Sequence, residues 1–434
     1  FQNLMLRFTF DTISLVVFGV DTGCLRPDLP SIPFASAFET ALDCASSRFN
    51  FPPSSWKLLK LLRLGKESGM HSALRCVHSF LQQIVDDRRA ALSGTNANYV
   101  HTSAHDANVH PNAHDTNVHP NAHDANVHPN AHDANVHPNA HDTNVNPSAH
   151  NANVHPDNDI SIGRPNDHHA NGVQPSGHNL KHTPHSDLLS CFVKMEDETN
   201  DHAHNDKFLK DVVINFLLAG RDTSALALSW FFWLLASHPH VEEKLAREVE
   251  TILGSDANQL LHEGVPVHTR EKLNDMTYLH AALSESLRLY PSVPIDMKYV
   301  VHDDVLPDGN HVKKGQRFLY NIYCMGRMES LWGPDCASFR PERWLYGDGT
   351  SCRLTNASPF EFAAFNAGPR TCLGKEMAYT LMKVVASTII INFHVVLAPH
   401  RPKVVPKLCT TLYMKEGFHV TLKPRARRII EVAK

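Results

Sequence analysis

The chain has 434 residues, 42% of them hydrophobic, 20% charged and 8% aromatic, and its formal charge at pH 7 is −4 with histidine neutral. That balance excludes a basic protein that coats nucleic acid and an acidic tail protein, and it leaves ample apolar material for a large core. Nine scattered cysteines (Cys24, Cys44, Cys76, Cys191, Cys324, Cys336, Cys352, Cys372 and Cys409) contain no C-x-x-C pair, which argues against a disulfide framework or a zinc ribbon and for a reducing compartment.

Residues 1–95 read as helical. Phe1 opens directly on FQNLMLRFTFDTISLVVFGV, without an initiator methionine or a cationic leader, so the chain reads as N-terminally incomplete. Leu74, Val77, Leu81, Ile84 and Val85 recur at three- and four-residue spacing and predict an amphipathic helix, ended by the charged run Asp86, Asp87, Arg88 and Arg89.

The texture changes over residues 96–205. Nineteen of the 31 histidines lie between His101 and His204, and a nine-residue unit of the form AHDANVHPN recurs six times from Ala104 to Asp157. Each unit has one valine as its only large apolar side chain and a proline near its end, too little burial to offset the entropy of ordering, so disorder is expected. It lacks the hydrophobic face of a solenoid and the glycines of a calcium-binding nonapeptide. Lengthening a loop about fivefold costs only ~1.4 kcal/mol, so residues 1–95 and 206–434 can belong to one fold with the insert looped out. The insert is drawn to residue 205, although apolar texture returns from about Asp187. Its imidazoles are also candidate ligands for divalent metal near pH 7.

In residues 206–434, the run Val212–Ala236 is apolar and long enough to cross a bilayer. Arg221 and Asp222 at its centre would each cost roughly 2.5–3.5 kcal/mol there, which favours a long helix buried inside a soluble fold. Asp222 and Thr223 are polar groups in an otherwise dry helix, a costly placement without partners. His262-Glu263 does not extend to a zinc-binding H-E-x-x-H helix, because the next histidine is His268 and Gly264 and Pro266 intervene. ESLRLYP puts Glu285 and Arg288 at i and i+3 on one helical face, and FRPERW adds Arg343. Surface ion pairing would account for either motif alone. FNAGPRTCLGKEMA, Phe365 to Ala378, is the most informative segment. Cys372 has no cysteine nearby, Gly368 and Gly374 permit tight turns that aim backbone N–H groups at its sulfur, and a helix starting just after it would stabilise a thiolate. Arg370 supplies a fixed cation for an acidic group.

Phe365, Gly368, Arg370, Cys372 and Gly374 satisfy F-x-x-G-x-R-x-C-x-G, and the segment resembles the haem-binding loop of the cytochrome P-450 superfamily. AGRDTS (Ala219–Ser224), the Glu285/Arg288 pair and FRPERW match three further motifs of that family in order and spacing. The run Met297–Gly333 is most similar to the plant fatty-acid ω-hydroxylase branch. The resemblance implies a mainly α prism with small β-sheets, lacking its N-terminal part and interrupted by the insert. It implies haem b with Cys372 as axial iron ligand, seated between the loop of Phe365, Gly368, Arg370 and Gly374 and a helix whose small pair, Ala219 and Gly220, lets a flat cofactor and oxygen approach. Glu285, Arg288 and Arg343 would form a buried cluster behind it. The implied activity is a monooxygenase that takes electrons from NADPH through a flavoprotein reductase and ω-hydroxylates long-chain fatty acids, with Thr223 and Asp222 managing protons. Asn215, Phe216, Ala219, Val293 to Met297 and Thr410 to Leu412 are expected around the substrate. The implied location is the cytosolic face of the endoplasmic reticulum membrane, and no nucleic-acid partner is expected. The family's anchor, proline-rich hinge and W-x-x-x-R helix are absent from this sequence, which leaves Arg370 and Lys298 for the haem propionates. The rival reading is a catalytically inactive truncated remnant whose His-rich repeat binds divalent metal.

Overall fold

The computed structural model of the chain describes residues 1–48, 53–92, 187–199, 206–253, 268–347, 353–355 and 357–425; the nonapeptide units at 104–157 and the segment 262–267 lie outside them. Among the described residues, four helices precede the insert: α1 (Gln2–Phe18), α2 (Pro33–Ser47), α3 (Pro53–Leu62) and α4 (Glu67–Leu92). After it come α5 (Leu188–Thr199), α6 (Asp206–Ser237), α7 (Pro239–Leu253), α8 (Arg270–Asp275) and α9 (Thr277–Leu289). A hairpin of β1 (Asp296–Tyr299) and β4 (Arg317–Tyr320) follows, enclosing the small ladder of β2 (Asp304–Val305) and β3 (His311–Val312). Short helices α10 (Ile322–Met325) and α11 (Glu329–Trp332), the pair β5 (Leu345–Tyr346) and β6 (Arg353–Leu354), and helix α12 (Lys375–Asn392) come next. The described chain ends on β7 (Phe393–Leu397), β8 (Pro406–Leu408), β9 (Leu412–Met414) and β10 (Val420–Pro424), paired antiparallel as β7 with β10 and β8 with β9. This is the mainly helical fold with small sheets that the sequence implies.

Helix α6 organises it. At 1.5 Å per residue its 32 residues span about 48 Å, enough to run through two apolar clusters. Its first half sends Leu209, Val213 and Leu217 into a cluster with Phe10 and Ile13 of α1, Phe34 and Phe38 of α2, and Val77, Leu81 and Val85 of α4. Its second half, Ala225 to Leu235, is buried almost all round against α7, α9 and α12. A helix that is apolar on every side is a core helix, and each such Leu or Phe contributes about 1.5–3 kcal/mol on burial. Among the described residues it is the one helix long and apolar enough to cross a bilayer. Its central charges are met inside the protein: Arg221 donates to Asp222 and to Glu39 of α2. Elements from both sides of the insert build one compact unit.

Two boundaries differ from the sequence reading. Helix α4 runs through Asp86–Arg89 to Leu92 because Arg88 turns inward, where it donates to Phe18 O (2.8 Å) and pairs with Asp187 (3.2 Å). Both groups pack against Gly19, whose φ of +66° ends α1; a side chain there would stand 2.8 Å from Arg88 Nη2. The stretch assigned to the insert also gives up its end. Asp187 accepts from Ser190 N (2.9 Å), opening α5, whose Leu189 and Val193 are buried, so four-residue apolar spacing outweighed the polar composition around it.

Candidate functional site

The Glu285/Arg288 pair lies on α9 with both side chains fully buried. Arg288 grips the carboxylate in fork fashion, Nη2 to Oε1 at 2.7 Å and Nε to Oε2 at 2.8 Å. Arg343 adds a bond from Nε to Oε1 at 3.4 Å, Arg340 N another at 3.0 Å, and Trp344 Nε1 closes the set on Oε2 at 2.9 Å. Arg288 spends its remaining donors on the carbonyls of Gly326, Cys336 (2.6 Å) and Ser338 (3.0 Å), and Arg343 reaches Trp332 O at 2.7 Å. Gly326 is required by this closeness, since a Cβ would stand 2.1 Å from Arg288 O. A buried ion pair stands only when its spare donors and acceptors are satisfied, and here they are. The three predicted residues are brought together; the role of Trp344 was missed, although it adjoins Arg343 in FRPERW.

The Cys372 loop is a tight turn closed by Cys372 N–H donating to Phe365 O at 2.8 Å. Asn366 has φ 60° and Gly368 φ +62°, and Gly374 caps the N-terminus of α12. Cys372 and Arg370 are exposed, and Phe365 is half-buried against Tyr379 of α12. The loop is tied to the β1–β4 hairpin: Asn366 Nδ2 donates to Asp296 Oδ2 at 3.1 Å, and Tyr320 Oη reaches the same oxygen at 2.5 Å. Lys298, expected at a propionate, donates to Asp296 Oδ2 at 2.6 Å and lies over the Tyr320 ring. Burial works against ionisation of Asp296, but the bonds from Lys298, Tyr320, Asn366 and the Met297 N–H outweigh it and bring its pKa down to about 2.

On α6 the predicted residues divide. Asn215 and Ala219 are exposed, and Thr223 continues their stripe with its hydroxyl donating to Ala219 O at 2.6 Å. Gly220 instead faces α1, where a Cβ would stand 2.5 Å from Ile13 Cδ1, so its missing side chain serves helix–helix approach. Asp222 is buried off the stripe, accepting from Tyr413 Oη at 2.6 Å and Arg221 Nη1 at 3.1 Å. Burial raises its pKa, opposed by Arg221 and Tyr413. Strand β9, which carries Tyr413, is bolted to α6 again by Trp230 Nε1 donating to Leu412 O at 2.8 Å, and Ser292 Oγ donates to Thr223 O at 2.7 Å. Of the expected substrate residues, Val293 and Ile295 are half-buried, Thr410 is exposed and Leu412 belongs to the core.

The cytochrome P450 family profile matches residues 163–420. The chain is 38% identical to cytochrome P450 86B1 of Arabidopsis thaliana over 98% of its own length and 60% of the relative's. It is 33% identical to cytochrome P450 94A2 of Vicia sativa and to cytochrome P450 704C1 of Pinus taeda, over 98% of this chain and 64% and 67% of those proteins. The chain belongs to the cytochrome P450 family. It spans 60–64% of the length of the first curated relatives it matches.

The residues present fit the haem of a cytochrome P450. Cys372 offers an exposed thiol at the start of an 18-residue helix, where it is accessible as a ligand to a metal centre. At Gly368 and Gly374 an added Cβ would meet nothing within 4 Å, so the backbone beside the thiol is open to a flat group. The neighbouring Leu373 is 91% exposed and supplies an apolar edge. Among the described residues no cluster of three or more His, Cys, Asp or Glu side chains competes for a metal ion. The Asp296–Tyr320–Asn366 network and Tyr413 were missed by sequence reasoning, since both depend on strand register.

Proposed function

We propose that the protein is a haem-thiolate monooxygenase that ω-hydroxylates long-chain fatty acids, acting at the cytosolic face of the endoplasmic reticulum with electrons from NADPH through a flavoprotein reductase. The observation that carries this reading is the exposed Cys372 thiol, held in a glycine-flanked turn at the N-terminus of α12 in a cytochrome P450 chain. The fatty-acid assignment is supported by the likeness of Met297–Gly333 to plant fatty-acid ω-hydroxylases.

When bound at Cys372, haem b supplies O2 activation and transfer of one oxygen atom to an unactivated C–H bond, helped by the electron push of the thiolate. The chain's own residues then have separable tasks. Cys372 is held by its N–H on Phe365 O, which presents its sulfur at the N-terminus of α12. Arg370 and Lys298 are the cations for the acidic propionates. Thr223 holds a proton at Oγ1 on the outward stripe of α6, one residue from a carboxyl whose raised pKa lets it carry a proton closer to neutrality. Asp222 would reach that stripe by turning away from Tyr413 and Arg221. Asn215, Ala219, Val293 and Ile295 orient the acyl chain.

The test is the absorption spectrum of the haem-supplied, reduced protein under carbon monoxide, followed by mass spectrometry of products from long-chain fatty acids with NADPH and reductase. A thiolate-type band, lost in Cys372→Ser, and terminally hydroxylated products are expected. A band that survives Cys372→Ser would sink the ligand assignment, and hydroxylation only at other substrates would sink the fatty-acid reading.

A further inference from the structure

The turn that carries Cys372 begins with a residue in a backbone conformation that side chains avoid. Asn366 has φ 60° and ψ −178°, a combination that is essentially reserved for glycine and persists only where the surroundings over-determine it. Here they do. Asn366 Nδ2 donates to Asp296 Oδ2 at 3.1 Å, and the Tyr320 hydroxyl lies 2.6 Å from Asn366 Oδ1 and 2.5 Å from Asp296 Oδ2, so its one proton serves two acceptors. Lys298 Nζ donates to the same carboxylate oxygen at 2.6 Å. Asp296 and Tyr320 are register partners across the β1–β4 ladder, so the hairpin itself brings carboxylate and hydroxyl together.

The consequence runs directly to the thiol. The carbonyl that immediately precedes Asn366, Phe365 O, accepts the Cys372 N–H at 2.8 Å. Fixing the Asn366 side chain therefore fixes the peptide on which the Cys372 backbone hangs. We propose that Asp296 is a positioning residue for the thiolate, acting through Asn366 to lock the Phe365–Cys372 turn and so present the Cys372 sulfur in one orientation. This rests on the haem-thiolate reading above and adds to it a tether from the strand that follows the expected substrate contacts Val293 and Ile295. The charge balance suits the task, because an ionised Asp296 is met by an ammonium, a hydroxyl and an amide, and it stays ionised throughout the neutral range.

Two readouts separate this tether from a merely structural contact. The first is amide hydrogen exchange of Cys372 in the full chain, resolved by fragmentation mass spectrometry, which needs no haem. Asn366→Gly accepts the backbone conformation without strain and folds, but it loses the side-chain bonds. Exchange at Cys372 should then quicken roughly ten- to hundredfold, as loss of a charge-assisted hydrogen bond predicts. Asp296→Asn should move in the same direction, and Tyr320→Phe, which keeps the Asn366–Asp296 bond, should move less. The second readout is the carbon-monoxide spectrum of the haem-supplied protein, where Asn366→Gly should shift part of the population from the thiolate type to the protonated-thiol type. Unchanged Cys372 exchange in both Asn366→Gly and Asp296→Asn would overturn the proposal. If the unsubstituted protein gave no thiolate band, the haem-thiolate function would fall, and with it the positioning role toward the iron, whatever the exchange showed about the loop.

Discussion

The Glu285 cluster and the Cys372 loop are both family motifs, yet they obey opposite physics. Glu285 and Arg288 are completely buried, and their donors and acceptors are spent on Arg343, Trp344 and three backbone carbonyls. Cys372, Arg370 and Leu373 are exposed, and the residue of the thiol is held through its backbone, its N–H donating to the Phe365 carbonyl and its own carbonyl accepting from Lys375 N. A buried charge that performs no reaction must be neutralised within the chain itself, because an unpaired one costs several kcal/mol. A group that reacts must keep its valence free. Conserving shape is the work of the first region, and offering chemistry is the work of the second.

The sharpest way to break this contrast is to remove one member of each region and compare stability. Arg288→Leu leaves the Glu285 carboxylate buried without its main countercharge and strips donors from Gly326, Cys336 and Ser338, a loss of about 3–5 kcal/mol. Cys372→Ser touches an exposed side chain and should move the urea midpoint hardly at all. If the two variants unfolded at similar denaturant concentrations, the division into a self-satisfied and an open region would be wrong.

His280 lies where the two regions meet, and it responds to pH. It sits on α9, the helix of Glu285, and stacks on Tyr379 of α12 (4.1 Å, 11°), which in turn packs against Phe365 of the Cys372 loop. Burial, with Lys383 and Lys375 adding to it, lowers its pKa from 6.5 to about 4. The folded state therefore binds fewer protons than the unfolded state between those values. Its contribution to stability is complete above about 6.5 and is lost as pH falls toward 4, on the order of 1–3 kcal/mol in all. His280→Phe keeps the ring stack and cannot titrate, so the stability–pH curve should flatten over that window. An acid limb of unchanged slope would show that the junction of the two regions does not sense protons through this residue.

Legibility in the sequence followed the same division. Motifs whose members are close in the chain, such as Glu285 with Arg288 or Phe365 through Gly374, were readable through their resemblance to a family pattern; i to i+3 spacing put the pair on one helical face but left surface ion pairing open. The buried state of α6 was readable from Arg221 and Asp222, which are too costly for lipid. What depended on neighbours distant in sequence was not readable. Arg88 looked like the end of a helix until Asp187 and the Phe18 carbonyl were seen beside it. Gly220 looked like room for a cofactor until Ile13 was found against it. Asp296 meeting Asn366 requires both the β1–β4 register and the unusual backbone at Asn366.

Thr223→Ala tests the open region with a smaller structural footprint. Among the described residues the hydroxyl donates only to Ala219 O of its own helix, and alanine is the better helix former, so stability should stay within about 0.5 kcal/mol. Substrate and haem binding should persist while reducing equivalents are diverted to peroxide, because proton control at Oγ1 is lost. Unchanged product per NADPH consumed would remove Thr223 from the proton path and leave it as a helix residue.

The smallest effect is expected from the repeats at 104–157, which lie apart from both regions in sequence. The flanking segments are already clasped by Arg88 on Asp187 and Phe18 O, so the folded unit holds its own ends together at that point. Deleting Ala104 to Asp157 shortens the connection by little more than half, and the logarithmic closure rule values that at about 0.7 kcal/mol in favour of folding. Hydroxylation and haem retention should be unchanged. Retention on immobilised nickel should fall, since the deletion removes closely spaced imidazoles, a side-chain type that ligates divalent metal when neutral. A deletion that abolished hydroxylation while sparing the urea midpoint would show that the repeats take part in the reaction, and the contrast would then need three regions instead of two.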